Sequence, residues 1–254
     1  MPARGDVADG APIWIDLGTN DLDAAVTFYT ELFGWDHVSF GEEFGNYGQF
    51  LHQGAPVAGV GPNMAAGQPS EWTVYLATSD ADAAARRVAE HGGTLLVEPD
   101  DVPEQGRFFV AVDPAGGPVA FWQPGAHTGF ARVMEPGAPC WFEAWSTDYD
   151  ATTAFYRDGV GWDVQQMPTD GSMRYATNGT EQDATAGIYD AAHDLGTDGR
   201  SQWLVYLGTS DVDAAAARVG ELGGTVLGEP VESPYGRMVD ARDPDGALFR
   251  IIAA

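Results

Sequence analysis

The two halves of this 254-residue chain repeat one another. Aromatic pairs, a tryptophan-led segment and an Asp-Pro turn occur in one order in the first half and in the same order in the second. The matching elements are Trp14 and Trp141, Phe28-Tyr29 and Phe155-Tyr156, Gly34-Trp35 and Gly161-Trp162, 72–76 and 203–207, and Asp113-Pro114 and Asp243-Pro244. Because self-similarity at a fixed spacing marks a duplicated unit, the sequence predicts two homologous domains of about 125 residues each.

The domain limits follow from the repeat and from local composition. We expect an N-terminal tail over 1–11, a first domain over 12–124 and a second domain over 139–254. The intervening segment, 125–138, is rich in Gly and Pro, which is typical of a linker.

Hydrophobic periodicity predicts the same elements in both halves. Residues 21–33 carry apolar side chains at helical spacing behind an acidic first turn. An Ala-rich helical pattern over 80–91 ends at a Gly-Gly pair and returns over 211–222. Short β-compatible segments, joined by turns such as Asn178-Gly179, fill the remainder. The order of strand, helix and three strands, repeated twice in each half, predicts an α+β fold.

Charge and cysteine content exclude several classes of protein. Acidic residues outnumber basic ones by 38 to 12, so the formal net charge is −26. Such a surface repels phosphate backbones and anionic lipid, so neither nucleic acid nor membrane is expected as a partner. The single cysteine, Cys140, cannot form an internal disulfide, and no apolar run approaches the roughly 18 residues of a membrane span. Since the start carries no signal-peptide pattern, a cytoplasmic location is expected.

The element order and three motifs resemble the vicinal oxygen chelate superfamily, which includes glyoxalase I, bleomycin-resistance proteins and extradiol dioxygenases. The motifs are DLDAAVTFYTELFGW after the first strand, TSDADAAARRVAEHGG after the fifth and a DPDG-type turn before the last. The resemblance covers 12–123 and 139–252. It implies tandem glyoxalase-like domains, each a pair of βαβββ modules that forms a concave sheet, here called a cup, with helices outside. The family places its chemistry in that cup.

Metal-binding members of the family carry ligands on the first, fifth and eighth strands of this pattern. The matching positions are Trp14, Thr73 and Ala120 in the first half, and Trp141, Leu204 and Arg250 in the second. Transition metals in proteins are held by imidazole, carboxylate or thiolate groups, and none of the six supplies one. We therefore expect no metal at this position and no cofactor, which argues against glyoxalase I and extradiol dioxygenase activity.

Alternation along the strands indicates which side chains line the cups. The first cup is expected to hold Trp14, Asp16, Tyr75 and Trp122, and the second Trp141, Glu143, Trp145, Tyr206 and Arg250. Cavities of this kind suit planar aromatic or hydrophobic ligands, which stack on the rings while a few polar groups fix their orientation. The alternative interpretation is that the first tryptophan of each cup fills it as a core residue.

Three side chains are candidates for acid–base catalysis. Asp16 and Glu143 are carboxylates directed into apolar cups, and His52 could point toward Asp16 from the third strand. A structural interpretation competes for Glu143, which is expected to form a buried ion pair with Arg250.

The leading hypothesis is a metal-free, glyoxalase/bleomycin-resistance-like protein that binds a small aromatic or hydrophobic metabolite or antibiotic. The enzyme alternatives are a lyase, isomerase or hydroxylase-type enzyme of secondary metabolism that uses a cup carboxylate as general base, and a metal-dependent glyoxalase or dioxygenase-type enzyme. A third class is an interaction module whose cups are filled by their own tryptophans. The sequence does not indicate which cup binds a ligand or whether the protein is a monomer or a homodimer. It also leaves open whether Arg107 and Arg237 contact a ligand or the scaffold.

Overall fold

The structure is a computed structural model that describes residues 7–63, 65, 67–168, 171, 173–180, 183–196 and 199–254. The first half contains eight strands and two α-helices. In chain order these are β1 Pro12–Thr19, α1 Leu22–Phe33, β2 Asp36–Ser39, β3 Gly48–His52, β4 Ala55–Pro62, β5 Glu71–Ala77, α2 Ala81–Glu90, β6 Thr94–Val102, β7 Gly106–Val112 and β8 Pro118–Pro124. A single 3₁₀ turn, Glu42–Phe44, lies between β2 and β3.

The second half repeats this order with one short helix added. Its elements are β9 Pro139–Ser146, α3 Tyr149–Phe155, β10 Gln165–Gln166, β11 Tyr175–Thr177, β12 Gly187–Asp190, α4 Ala192–Leu195, β13 Gln202–Thr209, α5 Val212–Glu221, β14 Thr225–Ser233, β15 Gly236–Arg242 and β16 Leu248–Ala253. Helix α3 continues into a π-helical turn, Tyr156–Val160.

Each half forms one eight-stranded sheet, with strand orders β2-β3-β4-β1-β5-β8-β7-β6 and β10-β11-β12-β9-β13-β16-β15-β14. Within each sheet the first four strands are one βαβββ module and the last four are the other. The modules meet where β1 pairs antiparallel with β5, and β9 with β13. The predicted α+β fold with paired βαβββ modules is confirmed.

An aspartate begins each of the four long helices. The side chains of Asp21, Asp80, Asp148 and Asp211 each accept a hydrogen bond from the backbone N–H three residues later. Since these N–H groups have no partner inside the helix, the carboxylate satisfies a donor and complements the positive helix end. The acidic residues that open the helical patterns are therefore N-caps.

Alternation along the central strands separates a helix face from a cup face. On β1, Ile13, Ile15 and Leu17 are buried under the helices, whereas Trp14 and Asp16 point to the cup. The principal hydrophobic core lies between the helix faces of the two sheets and includes residues of both domains. For example, the ring of Phe28 on α1 lies 6.0 Å from that of Phe249 on β16.

The repeated motifs hold the two domains together. Tyr29 on α1 donates a hydrogen bond to Asp243 in the DPDG turn of the second domain. The indole of Trp35 donates to the carbonyl of Gly137, and that of Trp162 donates to the carbonyl of Gly10. Among the repeated residues, Tyr29, Trp35 and Trp162 therefore make contacts between the two halves of the chain, whereas Trp14 and Trp141 lie in the cups. Among the described helices, none is long and apolar enough to cross a membrane.

Candidate functional site

The two cup floors are built from equivalent groups. The central strand of each sheet supplies a tryptophan and a carboxylate, and the neighbouring strand β5 or β13 supplies one tyrosine. A second tyrosine lies just before β3 in the first domain and at the start of β11 in the second. The set is Trp14, Asp16, Tyr47 and Tyr75 in the first cup, and Trp141, Glu143, Tyr175 and Tyr206 in the second. The strand register matches as well, because Trp14 lies opposite Tyr75 and Trp141 lies opposite Tyr206.

In the first cup, Asp16 is the centre of a hydrogen-bonded cluster. Its Oδ1 accepts from the indole of Trp14 and the hydroxyl of Tyr47, each at 2.8 Å. Burial raises the pKa of Asp16, although its hydrogen bonds to Tyr47, Tyr75 and Trp14 act in the opposite direction. Burial also raises the pKa of Tyr47 well above its usual value, and the Asp16 charge adds to this shift. The phenol therefore remains a donor at neutral pH.

A glycine makes room for each cluster. Gly59 lies opposite Asp16 on β4, and a Cβ there would come within 2.0 Å of Asp16 Oδ1 and 2.1 Å of the Tyr47 hydroxyl. Gly187 lies opposite Glu143 on β12, and a Cβ there would come within 2.1 Å of the Tyr175 hydroxyl. Only glycine leaves space for these polar atoms to lie against the sheet.

In the second cup, Glu143 is buried and uses both of its oxygens. Oε1 accepts from the indole of Trp145 at 2.6 Å, and Oε2 accepts from the hydroxyl of Tyr206 at 3.0 Å. The indole of Trp141 donates to the hydroxyl of Tyr175 at 2.9 Å. Burial, followed by the Glu143 charge, raises the pKa of Tyr206 well above its usual value.

The main partner of Arg250 is Asp240, and the expected Glu143–Arg250 ion pair is present as a longer, secondary contact. The Nε and Nη2 atoms of Arg250 donate to the two carboxylate oxygens of Asp240, at 2.5 and 2.9 Å. Arg250 Nη1 donates to the Tyr206 hydroxyl at 2.6 Å and lies 4.0 Å from Glu143 Oε1. Tyr206 therefore stands between the two residues. Asp240 takes the guanidinium because it lies directly opposite Arg250 on the neighbouring strand.

The cups differ in how far they are covered. In the first, the linker residue His127 packs edge-on against Trp14, with ring centroids 4.5 Å apart, and its carbonyl accepts from the indole of Trp122. Phe130 also packs on Trp14, so that Trp14 is only 3% and Trp122 only 7% exposed. The indoles of the second cup, Trp141 and Trp145, are both partly exposed. The linker therefore covers part of the first cup, while aromatic surface of the second reaches solvent.

Three further residues are placed away from the cup clusters. The ring of His52 lies against Gly137 in the linker, and Tyr47 takes the place beside Asp16 that was expected for it. Arg107 bridges Asp82 and Asp101, and Arg237 makes the equivalent bridge between Asp213 and Glu232. Each arginine thus links a helix to the edge strand of its own domain, which is a structural role.

The described residues contain no cluster of three or more His, Cys, Asp or Glu side chains able to hold a metal ion. The positions that match the family's metal ligands are aromatic, aliphatic or hydroxyl-bearing residues and one arginine. Such a set does not fit a transition metal, which needs several converging nitrogen, oxygen or sulfur donors.

Sequence reasoning missed Tyr47, Tyr175, Asp240 and the two glycines. A signal was present, because Tyr47 and Tyr175 are separated by the same number of residues as Gly59 and Gly187. Aligning the halves residue by residue therefore pairs them. Asp240 carries no such signal, since the equivalent residue of the first domain is Val110.

The fold and the paired cups define a class of protein, in which two tandem domains of βαβββ modules each present a concave sheet. A family model described as Glyoxalase/Bleomycin resistance protein/Dioxygenase superfamily matches residues 12–121 and 140–251. The chain belongs to this superfamily, in a two-domain form.

Several relatives match over nearly their whole length. The chain is 37% identical to the anthracycline biosynthesis protein DauV of Streptomyces sp. (strain C5), covering 96% of this chain and 94% of that protein. It is 36% identical to the anthracycline biosynthesis protein DnrV of Streptomyces peucetius, with the same coverage. It is also 33% identical to a Mycobacterium bovis protein named "Putative glyoxylase CFP32", covering 99% of this chain and 98% of that protein.

Solved structures show the same fold at low sequence identity. An Mn(II)-bound glyoxalase from Novosphingobium aromaticivorans has a TM-score of 0.68 at 18% identity, covering 97% of this chain and 83% of that chain. The 2,3-dioxygenase LapB from Pseudomonas sp. KL28 has a TM-score of 0.66 at 11% identity, covering 97% and 93%.

Proposed function

We propose that the protein binds a planar, fused-ring aromatic molecule in the second cup. The observation that carries this proposal is the pair of partly exposed indoles, Trp141 and Trp145, on either side of the buried Glu143. Indole faces favour flat aromatic partners, and partial exposure leaves them available for stacking. Most of the tryptophan surface of the first cup lies under the linker.

Polar groups of the second cup are suited to orienting such a ligand. Glu143, Tyr206 and Arg250 form a continuous chain of hydrogen bonds, which holds each group in one position before a ligand arrives. Arg250 also lies over the rings of Tyr206 and Trp145, with its guanidinium carbon 4.9 and 5.7 Å from the ring centroids. A carbonyl or hydroxyl of a bound quinone would meet this preorganised edge.

The relatives support the ligand class. Two proteins that match this chain over nearly their full length are named anthracycline biosynthesis proteins. Anthracyclines are built on fused aromatic rings that carry quinone and phenol oxygens. That combination of flat rings and edge oxygens is what the second cup is equipped to receive.

A second candidate function is proton-transfer catalysis on the same ligand class. It is favoured by the contact between the Glu143 carboxylate and the Tyr206 phenol, because a carboxylate bonded to a phenol can move a proton to or from a substrate oxygen or carbon. Under this alternative Glu143→Gln abolishes turnover of a bound substrate and leaves its affinity within a few fold.

The binding proposal is tested by titrating the protein with 1,8-dihydroxyanthraquinone while following tryptophan fluorescence. We expect saturable quenching, with an affinity weakened about fivefold in Trp141→Ala and in Trp145→Ala, since aromatic stacking contributes about 1 kcal/mol for each ring pair. The control is Tyr235→Ala, which removes a tyrosine that is 74% exposed in the β14–β15 turn. Equal affinity in all four proteins would place the ligand elsewhere. Mass analysis of the incubated quinone separates binding from turnover.

A further inference from the structure

The two cup floors share a tryptophan, a carboxylate and two tyrosines, and one difference between them concerns charge. The neighbouring strands at the far side of the floor carry Val110 and Ala120 in the first cup, where the second carries Asp240 and Arg250. Ala120 lies opposite Tyr75 in the same register as Arg250 opposite Tyr206. The first cup therefore has a carboxylate, as the second does, but no guanidinium beside it among the residues that the structure describes.

Asp16 has no cationic partner in the described part of the chain. All of its described hydrogen-bond donors are neutral. The indole of Trp14 and the hydroxyl of Tyr47 both donate to Oδ1, and the hydroxyl of Tyr75 is a third donor. A charge in a largely buried, apolar site is costly unless it is paired. The hydrogen bonds stabilise the carboxylate but leave its negative charge uncompensated.

Asp16 is nevertheless reachable from solvent. Asp16, Tyr47 and Tyr75 are partly exposed, although Trp14 beside them is covered by the linker. Directly beside Asp16 across the strands lie Thr73 on β5 and Gly59 on β4, and Gln49 lies next to Gly59 on β3. The amide of Gln49, the carboxylate of Asp16 and the hydroxyl of Thr73 therefore lie in one row across the strands, on a cup floor that also carries aromatic rings.

We infer that the first cup binds a protonated amine carried on an apolar or aromatic body, with the ammonium group paired to Asp16. The ammonium supplies the positive charge that Arg250 supplies near the carboxylate of the second cup. Aromatic rings and a carboxylate together attract such a cation through ring faces and charge-assisted hydrogen bonds. A metal ion is a poorer occupant, since one carboxylate with phenols and amides offers too few strong ligands.

The test compares an amine with its neutral isostere. Binding of 2-(2-naphthyl)ethylamine and 2-(2-naphthyl)ethanol is measured by calorimetry at pH 7.5. In wild type we expect the amine to bind at least tenfold more tightly than the alcohol. In Asp16→Asn, which keeps the side-chain shape and one acceptor oxygen, this preference disappears. Equal affinities for the two compounds in wild type would overturn the proposal.

A matched control separates the cup from the general negative field of the protein. Asp36→Asn removes the same charge from an exposed position on β2 and should leave the preference unchanged. If both variants lose the preference alike, the amine is held by the overall charge and the proposal is wrong.

A second variant does not depend on Asp16 itself. The double substitution Val110→Asp/Ala120→Arg copies the ion pair of the second cup into the first, and it should abolish the amine preference by supplying an internal cation. Retention of the preference in this folded variant contradicts the site. Because anthraquinone binding is measured through Trp141 and Trp145, the two proposals fail separately.

Discussion

The hydroxyl of Tyr29 in the first domain donates a hydrogen bond of 3.2 Å to Asp243 in the second. It also accepts a hydrogen bond of 3.1 Å from the indole of Trp72. The equivalent hydroxyl of Tyr156 is buried without a hydrogen-bond partner among the described residues. The Tyr29 hydroxyl is thus hydrogen-bonded and, within the described part of the chain, the equivalent Tyr156 hydroxyl is not, although both tyrosines belong to the same repeated Phe-Tyr pair.

This asymmetry predicts different costs for the same substitution. Tyr29→Phe leaves the Trp72 donor without its acceptor and removes a bond to Asp243, so the free energy of unfolding should fall by about 1–3 kcal/mol. Tyr156→Phe removes a hydroxyl that has no such bond and should change stability by less than about 0.5 kcal/mol, or increase it. Urea unfolding of both variants measures the difference. Equal losses would mean that the two hydroxyls are equally bonded.

Asp113 should make stability fall as the pH rises through the weakly acidic range. Burial raises its pKa to about 6 in the folded protein, against 3.8 for the ordinary side chain. Between these values the folded state holds a proton that the unfolded state has lost, so raising the pH favours unfolding. Below pH 3.8 the carboxyl is protonated in both states and costs no stability. Above about pH 6 it is charged in both states, and the cost of burying the charge is fully present. The predicted contribution is about 3 kcal/mol lost between pH 4 and pH 7.

Asp113→Asn tests this contribution. Asparagine retains a side-chain acceptor for the backbone N–H groups of Ala115 and Gly117 but does not titrate. Its stability relative to wild type should therefore improve by about 3 kcal/mol between pH 4 and pH 7. Denaturant titrations at unit pH intervals measure this change, with the exposed Asp36→Asn as reference. A constant difference between variant and wild type at every pH would contradict the assignment.

In the second cup, loss of Asp240 should cost more stability than loss of Glu143. Asp240→Ala removes both hydrogen bonds to the Arg250 side chain, which is only 16% exposed, and should lower the free energy of unfolding by about 2–3 kcal/mol. Glu143→Gln retains an acceptor for Trp145 and leaves the Asp240 pair intact, so about 1 kcal/mol is expected. Thermal and urea unfolding decide the order. The reverse order would restore Glu143 as the principal partner of Arg250.

Gly59 should tolerate no side chain, in contrast to Gly61 two residues along the same strand. A Cβ on Gly59 would overlap Asp16 and Tyr47, whereas a Cβ on Gly61 would lie 3.5 Å from the Tyr47 ring, an ordinary contact. Gly59→Ala should therefore lower stability by about 1–3 kcal/mol and displace Asp16, while Gly61→Ala should cost less than about 1 kcal/mol. Unfolding measurements compare the two, and amine affinity reports on Asp16. Similar stability in both variants would show that the cluster moves aside without strain.

Much of the architecture was predictable because it depends on local regularities. Alternation on β1 is enough to assign Ile13 and Ile15 to the helix face and Asp16 to the cup. The acidic residue that precedes each helical pattern marks the N-caps, of which Asp21 is one. Burial of one face of a strand and capping of a helix end are decided by residues close together in the chain.

The sequence by itself therefore determined the duplication, the α+β modules and the carboxylate on each cup floor. Only the tertiary structure decided that Asp240 takes the guanidinium of Arg250, that Tyr47 takes the place expected for His52, and that the linker covers Trp14. Each of these outcomes depends on competition between partners brought together by strand register or by the path of a Gly- and Pro-rich segment. Distances between residues far apart in the chain decide such competition, and local sequence patterns do not contain them.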